Sequence, residues 1–248
     1  MRFNTIGTDT ELFAQDKTGK VVSLCGKIGG TKQKPAQIAE YTSGYSLQED
    51  NVSVEFNIPP AQDVYQWCNS ITNMLIYIQN KKLNNMGLSI CTEASASFSE
   101  DELQHPQALI FGCEPDFNAW TGDTNEKPFC NNFQLRTAGG HVHVGTSNNM
   151  IDATQLMDLF LGVPSVILDN NPASIIRKEL YGKAGAMRPK PYGFEYRVLS
   201  NFWVFDRKLI EWVFYNTRNA MNSTIKFTKK MELEIQKCIN INDIDLAK

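Results

Sequence analysis

Histidine is scarce in this sequence: there are three in 248 residues, at positions 105, 141 and 143. Basic residues are not in excess. Twenty-four Lys and Arg against 27 Asp and Glu leave a net charge of −3, which excludes a general nucleic-acid binder with a basic face. No apolar run approaches the roughly 20 residues of a membrane helix. The N-terminus, Met1-Arg2-Phe3-Asn4, lacks the apolar core of a secretion signal. The six cysteines have no CxxC spacing, so reduced, small apolar fillers are expected rather than a metal or redox motif. The Gly26-Lys27-Ile28-Gly29-Gly30-Thr31-Lys32 stretch lacks the Gly-Lys-Ser/Thr ending of a P-loop; it reads either as a phosphate cradle offering Lys27 or as a solvated hairpin. Repeats, low-complexity tracts and a domain linker are also missing. The remaining composition, 42% hydrophobic and 21% charged, is that of an ordinary globular protein of one sizeable domain.

What is present centres on Gly139-Gly140-His141-Val142-His143-Val144-Gly145. In a strand, side chains alternate, so both imidazoles share one face and both valines the other. The flanking glycines allow a close approach to the backbone. The same spacing recurs in Asp9-Thr10-Glu11, in Glu55-Phe56-Asn57 and in Glu195-Tyr196-Arg197. Four mostly apolar strands thus each offer a polar pair to one side.

In chain order, strands are expected over 3–13 and 21–25, within 44–58, over 88–98 and 108–112, and in the histidine segment 133–145. The Val64, Cys68, Ile71, Leu75, Ile78 stripe predicts a helix over about 61–82. Ser99-Glu100-Asp101-Glu102 has the pattern of a capping box opening a short helix. Helices are also expected over 152–168 and from Asp206 to about Met221. Between them, 177–191 reads as a basic, glycine-bearing connection with Arg177, Lys178, Lys183, Arg188 and Lys190. Asp116 and Asn118 lie in a stretch with the composition of a substrate loop, and equally of a loop whose polar side chains bond their own backbone. Residues 229–248 are charged and weakly patterned, hence expected as a peripheral segment after a catalytic unit over 1–228. Mixed elements without strict alternation, and polar-apolar strands, predict an α+β fold. It has a largely antiparallel, curved sheet with helices on one face and chemistry on the open face.

If Asp9, Glu11, Glu55 and Glu195 converge, each like-charge pair about 4 Å apart repels by roughly 4 kcal/mol at an effective dielectric near 20. That is large against the ~5–15 kcal/mol of a domain's stability. Protonation, arginine pairing or a divalent metal relieves it. Only Arg197 is placed beside them by spacing, so metal is the expected solution. Carboxylates with an imidazole suit Mg²⁺ or Mn²⁺. The basic residues before Glu195 point to anionic groups, plausibly nucleotide phosphates, and hence to metal-clamped phosphoryl transfer.

These residues carry a resemblance. Gly7-Thr8-Asp9-Thr10-Glu11 resembles the opening Gly-x-Glu-x-Glu strand of the glutamate–cysteine ligases, with the shorter Asp9 in place of the usual Glu. Gly140-His141-Val142-His143 resembles the His-x-His strand of the glutamine synthetases, and Tyr192-Gly193-Phe194-Glu195-Tyr196-Arg197 their late Glu-x-Arg strand. With Ile28-Gly29-Gly30-Thr31-Lys32, Phe111-Gly112-Cys113-Glu114-Pro115-Asp116 and Leu199-Ser200-Asn201-Phe202-Trp203, the ordered set is most similar to the phage-encoded carboxylate–amine ligases of that superfamily.

The resemblance implies a glutamine synthetase-like sheet working on ATP with Mg²⁺ or Mn²⁺ in the cytoplasm, the host's if the chain is phage-encoded. Glu11 and Glu55 would hold one metal, and Asp9, His141 and Glu195 the other. Arg197 would contact the transferred phosphoryl group, with Arg188, Lys183 and Lys27 as further phosphate contacts. His143 would orient a substrate or metal-bound water, or help deprotonate the amine. Arg136, Asp116 and Asn118 are candidate substrate contacts. The expected partners are small-molecule or peptide carboxylates and amines, with no nucleic acid or membrane; an oligomer is compatible with all of this. Two rival readings are a cupin-like metal-dependent oxygenase or hydrolase, which needs a third histidine and has only His105, and a non-catalytic nucleotide-binding accessory protein.

Overall fold

The structure, a computed structural model, describes residues 3–109, 116–126 and 131–248. Its centre is an open antiparallel sheet. In spatial order the strands are Ala36–Gln37, Ser46–Asp50, Ser53–Asn57, Phe3–Gln15, Gly140–Thr146, Gly193–Tyr196, Ala186–Lys190 and Phe117–Asn118. Val21–Val22 and Ser89–Cys91 pair with the far end of the long first strand. The fold is α+β, as the alternation predicts.

Alternation sorts the two faces. Ile6, Leu12, Val54, Phe56, Val142, Val144, Phe194 and Tyr196 are buried in one apolar cluster. Three helices cover it: Val64–Tyr77, a continuous helical stretch over 150–168, and Arg207–Asn222. Each opens on a side-chain cap, where Asp63 accepts from Gln66 N, Asn149 from Ile151 N, and Asp206 from Lys208 N. The Asp63 cap starts the first helix three residues later than its apolar stripe predicts. The Arg207–Asn222 helix buries Ile210, Val213, Phe214, Thr217 and Met221, the predicted face. Trp67 stacks on Trp203 (5.5 Å, 11°) and donates to Ile210 O, while Trp203 Nε1 donates to Gly140 O. A Cβ at position 140 would lie 2.4 Å from Ser200 O and 2.6 Å from Trp203 Nε1, so only glycine admits that segment beside the histidine strand.

Contrary to the expectation from the sequence, the 150–168 helix is long and apolar enough, by length and composition alone, to cross a membrane; half of it is buried inside this fold. A π turn at Asp158–Gly162 interrupts it.

Several expectations are corrected. Segment 44–58 is a hairpin of two strands. Segment 88–98 splits into Ser89–Cys91 and Ser95–Ser97. The capping box does not close: Glu102 accepts instead from Ser23 N, 2.8 Å away, and only a short 3₁₀ turn forms. Pro106–Leu109 is 3₁₀ rather than the start of a strand, and the rest of the expected 108–112 strand lies outside the described residues. The basic 177–191 connection is the end of the Pro172–Leu180 helix followed by the Ala186–Lys190 strand. Pro189 hides that strand in the sequence. It is tolerated because the outer neighbour, Phe117–Asn118, pairs only with Ala186 and Met187. The C-terminal segment, expected to be peripheral, forms the Lys229–Ile241 helix and buries Ile235, Cys238 and Ile239. Its charged outer face masks an apolar i, i+3, i+4 set.

Candidate active site

Antiparallel register assembles the open face. Asp9 lies opposite His141 on one side and Asn57 on the other, and Glu11 opposite Glu55. Glu55 lies opposite Gln48, His143 opposite Glu195, and Glu195 opposite Arg188. Directly paired residues share a face, so three cross-strand rows converge. They line a pocket of about 390 Å³ with Asp9, Glu11, Glu55, His141, His143, Arg188 and Arg197 on its walls, joined by Lys32, Gln48, Asp50 and Lys190.

The pocket has two halves of opposite character. In the first, His143 Nε2 lies 3.0 Å from one Asp9 oxygen and His141 Nδ1 3.2 Å from the other. Burial opposes the charge on Asp9. The nearby His143 charge and the hydrogen bond from His141 outweigh it and hold Asp9 well below the usual carboxylate range. The opposite ring nitrogen of His143 is hydrogen-bonded to Tyr192 Oη. Glu195, wholly buried, is paired with Arg197, with Lys190 at 2.9 Å and with Arg188 at 3.4 Å. Burial and Asp9 push Glu195 up, but Arg197 and the two imidazoles bring it down to about 2. Cation pairing therefore relieves Glu195: Arg197 lies two residues on, and a strand hidden from the sequence reading delivers Arg188 and Lys190 beside it. Arg197 is held by Asp116, whose carboxylate accepts from Arg197 Nε at 3.2 Å and from Asn125 Nδ2 at 2.8 Å.

The second half is acidic. Glu11, Asp50 and Glu55 bring one oxygen each within 4.8 Å of one another. Gly139 N donates to Glu11 at 2.6 Å and Gln48 Nε2 to Glu55 at 2.7 Å. Burial first, then the Asp50 charge, pushes Glu11 up to about 8. Burial, then Asp9, Asp50 and Glu11, raises Glu55 well above its ordinary value. Two carboxylates that resist ionisation, with Asp50 beside them, suit a hard divalent cation. Asp9, His141 and Glu195 form a second such set within the same 4.8 Å limit. Both donor sets fit Mg²⁺ or Mn²⁺ by chemistry.

Residues 128–237 match the family model described as phage phiEco32-like COOH.NH2 ligase-type 2. The match covers less than half of the chain, and over that stretch the chain is similar to the phage-type carboxylate–amine ligases. No curated protein matches it. The ligase match takes in the histidine strand, Arg188, Lys190, Glu195 and Arg197; Asp9, Glu11 and Glu55 lie before it.

Four predicted site contacts stand elsewhere. Lys27 points away and donates to Ser23 O at 2.6 Å. Its loop is not a phosphate cradle: Gly26, Ile28 and Gly29 N–H all donate to the Glu49 carboxylate, at 2.7, 2.9 and 2.8 Å. Lys183 reaches Asn240 O in the C-terminal helix. Arg136 is buried and spends its guanidinium on Asn51 Oδ1 and on the carbonyls of Phe133, Leu135 and Ala108. Asn118 accepts from Trp120 N, the backbone-bonded alternative for that loop. Of the motif 111–116, only Asp116 falls within the described residues. His105 accepts from Gln107 N in its own turn and lies outside the pocket, so the third imidazole of a cupin-like site is not supplied by it.

Sequence reasoning missed Gln48, Asp50, Lys32, Lys190 and Tyr192. Gln48 and Asp50 were findable: they alternate along the partner strand of the Glu55 hairpin. Lys190 is two residues from Arg188, the spacing of every other pair on this face. Lys32 and Tyr192 sit on turns, where no period operates.

Proposed function

We propose that this chain is an ATP-dependent carboxylate–amine ligase that forms an amide or peptide bond through an acyl phosphate. The observation that carries the reading is the split pocket: a carboxylate set poised for divalent cations lies beside Arg197, Arg188 and Lys190. Glu11, Asp50 and Glu55 would hold one Mg²⁺ or Mn²⁺, and Asp9, His141 and Glu195 another. Ions held there would supply positive charge to neutralise that of the nucleotide phosphates.

A carboxylate is a poor electrophile toward an amine. In the proposed reaction its oxygen attacks the γ-phosphorus of ATP, ADP leaves, and the acyl phosphate carries a good leaving group. The amine nitrogen then attacks the acyl carbon, phosphate departs, and the amine loses a proton. Arg197, oriented by Asp116 and Glu195, stabilises the phosphoryl oxygens as charge develops on them. Lys190 and Arg188 hold Glu195 as an anion, and Lys32 at the pocket wall offers a further cation to the phosphate chain. His143 is fixed by Asp9 on one nitrogen and by Tyr192 on the other; this arrangement supports an orienting role over free proton exchange.

The test is ADP release over a matrix of carboxylates and amines with Mg²⁺ or Mn²⁺, with mass spectrometry of the product. An amide that appears only with ATP and metal is expected. ATP binding with no product across the matrix favours the non-catalytic accessory reading. Bound iron with no nucleotide binding favours the oxygenase.

A further inference from the structure

Asp158 is entirely buried on the helix side of the sheet, and none of the chemistry above uses it. A buried carboxylate is expensive unless several donors surround it. Three do. Trp120 Nε1 and Gly185 N each donate to Oδ2 at 2.6 Å, and Tyr196 Oη donates to Oδ1 at 2.8 Å. The donors come from three separate elements, and each element carries a site residue on the opposite face. Trp120 closes the loop that begins with Asp116, the partner of Arg197. Gly185 leads into the strand of Arg188 and Lys190. Tyr196, wholly buried, sits between Glu195 and Arg197.

The helix is shaped for this contact. Asp158 and Gly162 bound the π turn, a distortion that often marks functional positions. A Cβ on Gly162 would lie 2.8 Å from Tyr196 Oη and 2.7 Å from Ile239 Cδ1, so glycine leaves the space that the tyrosine hydroxyl needs to reach Asp158. One carboxylate thus ties together, from behind, the two strands that bring Arg197, Arg188 and Lys190 to Glu195 and the loop whose Asp116 holds Arg197.

We propose that Asp158 is a positioning residue: through Trp120, Gly185 and Tyr196 it sets the geometry of the Arg197, Arg188 and Lys190 half of the pocket. The inference deepens the ligase reading and rests on it for its kinetic consequence. Asp158 does not touch substrate; it acts through the three elements it clamps.

Tyr196→Phe and Trp120→Phe each remove one donor while keeping an aromatic ring in place, which guards against the outcome that Asp158→Asn fails to fold. In the full-length protein, each is expected to lower kcat about tenfold or more while the KM for the amine stays within twofold. Hydrogen–deuterium exchange is expected to quicken in 116–125 and 185–197 and to stay unchanged in 3–15 and 53–57. Unchanged kcat per folded molecule, or exchange that quickens uniformly, overturns the proposal. If the wild type forms no product with any substrate pair, the ligase reading falls by itself, and the exchange pattern still decides the role of Asp158.

Discussion

Glu11 stands directly opposite Glu55 across two antiparallel strands, and among the described residues neither carboxylate forms an ion pair with a lysine or arginine. Asp50 adds a third carboxylate to the same spot. Repulsion here is relieved by protonation or by a bound cation. Glu55→Gln is therefore expected to raise the Tm of the metal-free protein, on the order of 2–4 °C for each kcal/mol relieved. It is also expected to shrink the stabilisation that millimolar Mg²⁺ brings to the wild type. Calorimetry with and without Mg²⁺ checks both. A lower metal-free Tm would contradict the crowding.

Glu195→Gln is expected to do the reverse. Glu195 is the shared anion for Arg197, Lys190 and Arg188, and its loss leaves three cations facing one another at a buried position. Removing one partner of a buried pair costs about 3–5 kcal/mol, so Tm and ligation should both fall. Thermal denaturation beside an ADP-release assay separates this from Glu55→Gln, where only turnover should suffer.

Stability should depend on pH in two opposite ways. The pKa of Glu11 rises on folding to about 8 and that of Asp158, by burial, to about 7. Both groups therefore stabilise the fold fully below their unfolded values and lose that contribution as pH rises through 7 and 8. Each changes the unfolding free energy by up to roughly 1.4 kcal/mol per pH unit within its window. Asp9 and Glu195 are lowered, so their contribution is present above their unfolded values and is lost as pH falls toward about 2. Denaturant titrations without metal should thus weaken at both ends. Saturating Mg²⁺ should flatten the alkaline limb, because the cation takes the place of the proton at Glu11.

Lys32 and Lys27 lie five residues apart and should behave differently. Lys32 lines the pocket, while Lys27 caps Ser23 O. Lys32→Ala is expected to raise the KM for ATP about tenfold, or about 1.4 kcal/mol, with Tm unchanged. Lys27→Ala should leave that KM alone. Equal effects would mean the loop moves as one phosphate-binding unit in spite of its anchorage to Glu49.

Arg136→Ala is expected to destabilise without a specific effect on any substrate. Its guanidinium bridges Asn51, Ala108, Phe133 and Leu135, and a lost network of this kind costs about 2–4 kcal/mol. Urea midpoints and KM values for both substrates check the pair of outcomes.

The working face was readable because it rests on a period of two. Asp9 with Glu11, His141 with His143, and Glu195 with Arg197 each state which face they share, and the apolar residues between them state where the helices go. Asp50 and Gln48 escaped only because their strand was not recognised as half of a hairpin. The basic strand with Arg188 and Lys190 escaped because Pro189 and the glycines around it look like a loop. Long cations are the hardest residues to place from sequence: Lys27, Lys183 and Arg136 carry the charge a phosphate or carboxylate needs, yet each bonds a backbone carbonyl.

From the chain of residues alone came the alternating strands, the amphipathic helices and the polar pairs, since backbone geometry repeats over two or 3.6 residues and local order suffices to reveal it. The folded molecule alone decided which carboxylates acquired cationic partners and which were left crowded. That outcome depends on register between strands far apart in sequence, and on where flexible lysine and arginine ends come to rest. Neither is encoded in any short stretch: Glu195 meets Arg188 through a turn, and Glu11 meets Glu55 through forty-odd residues of intervening chain.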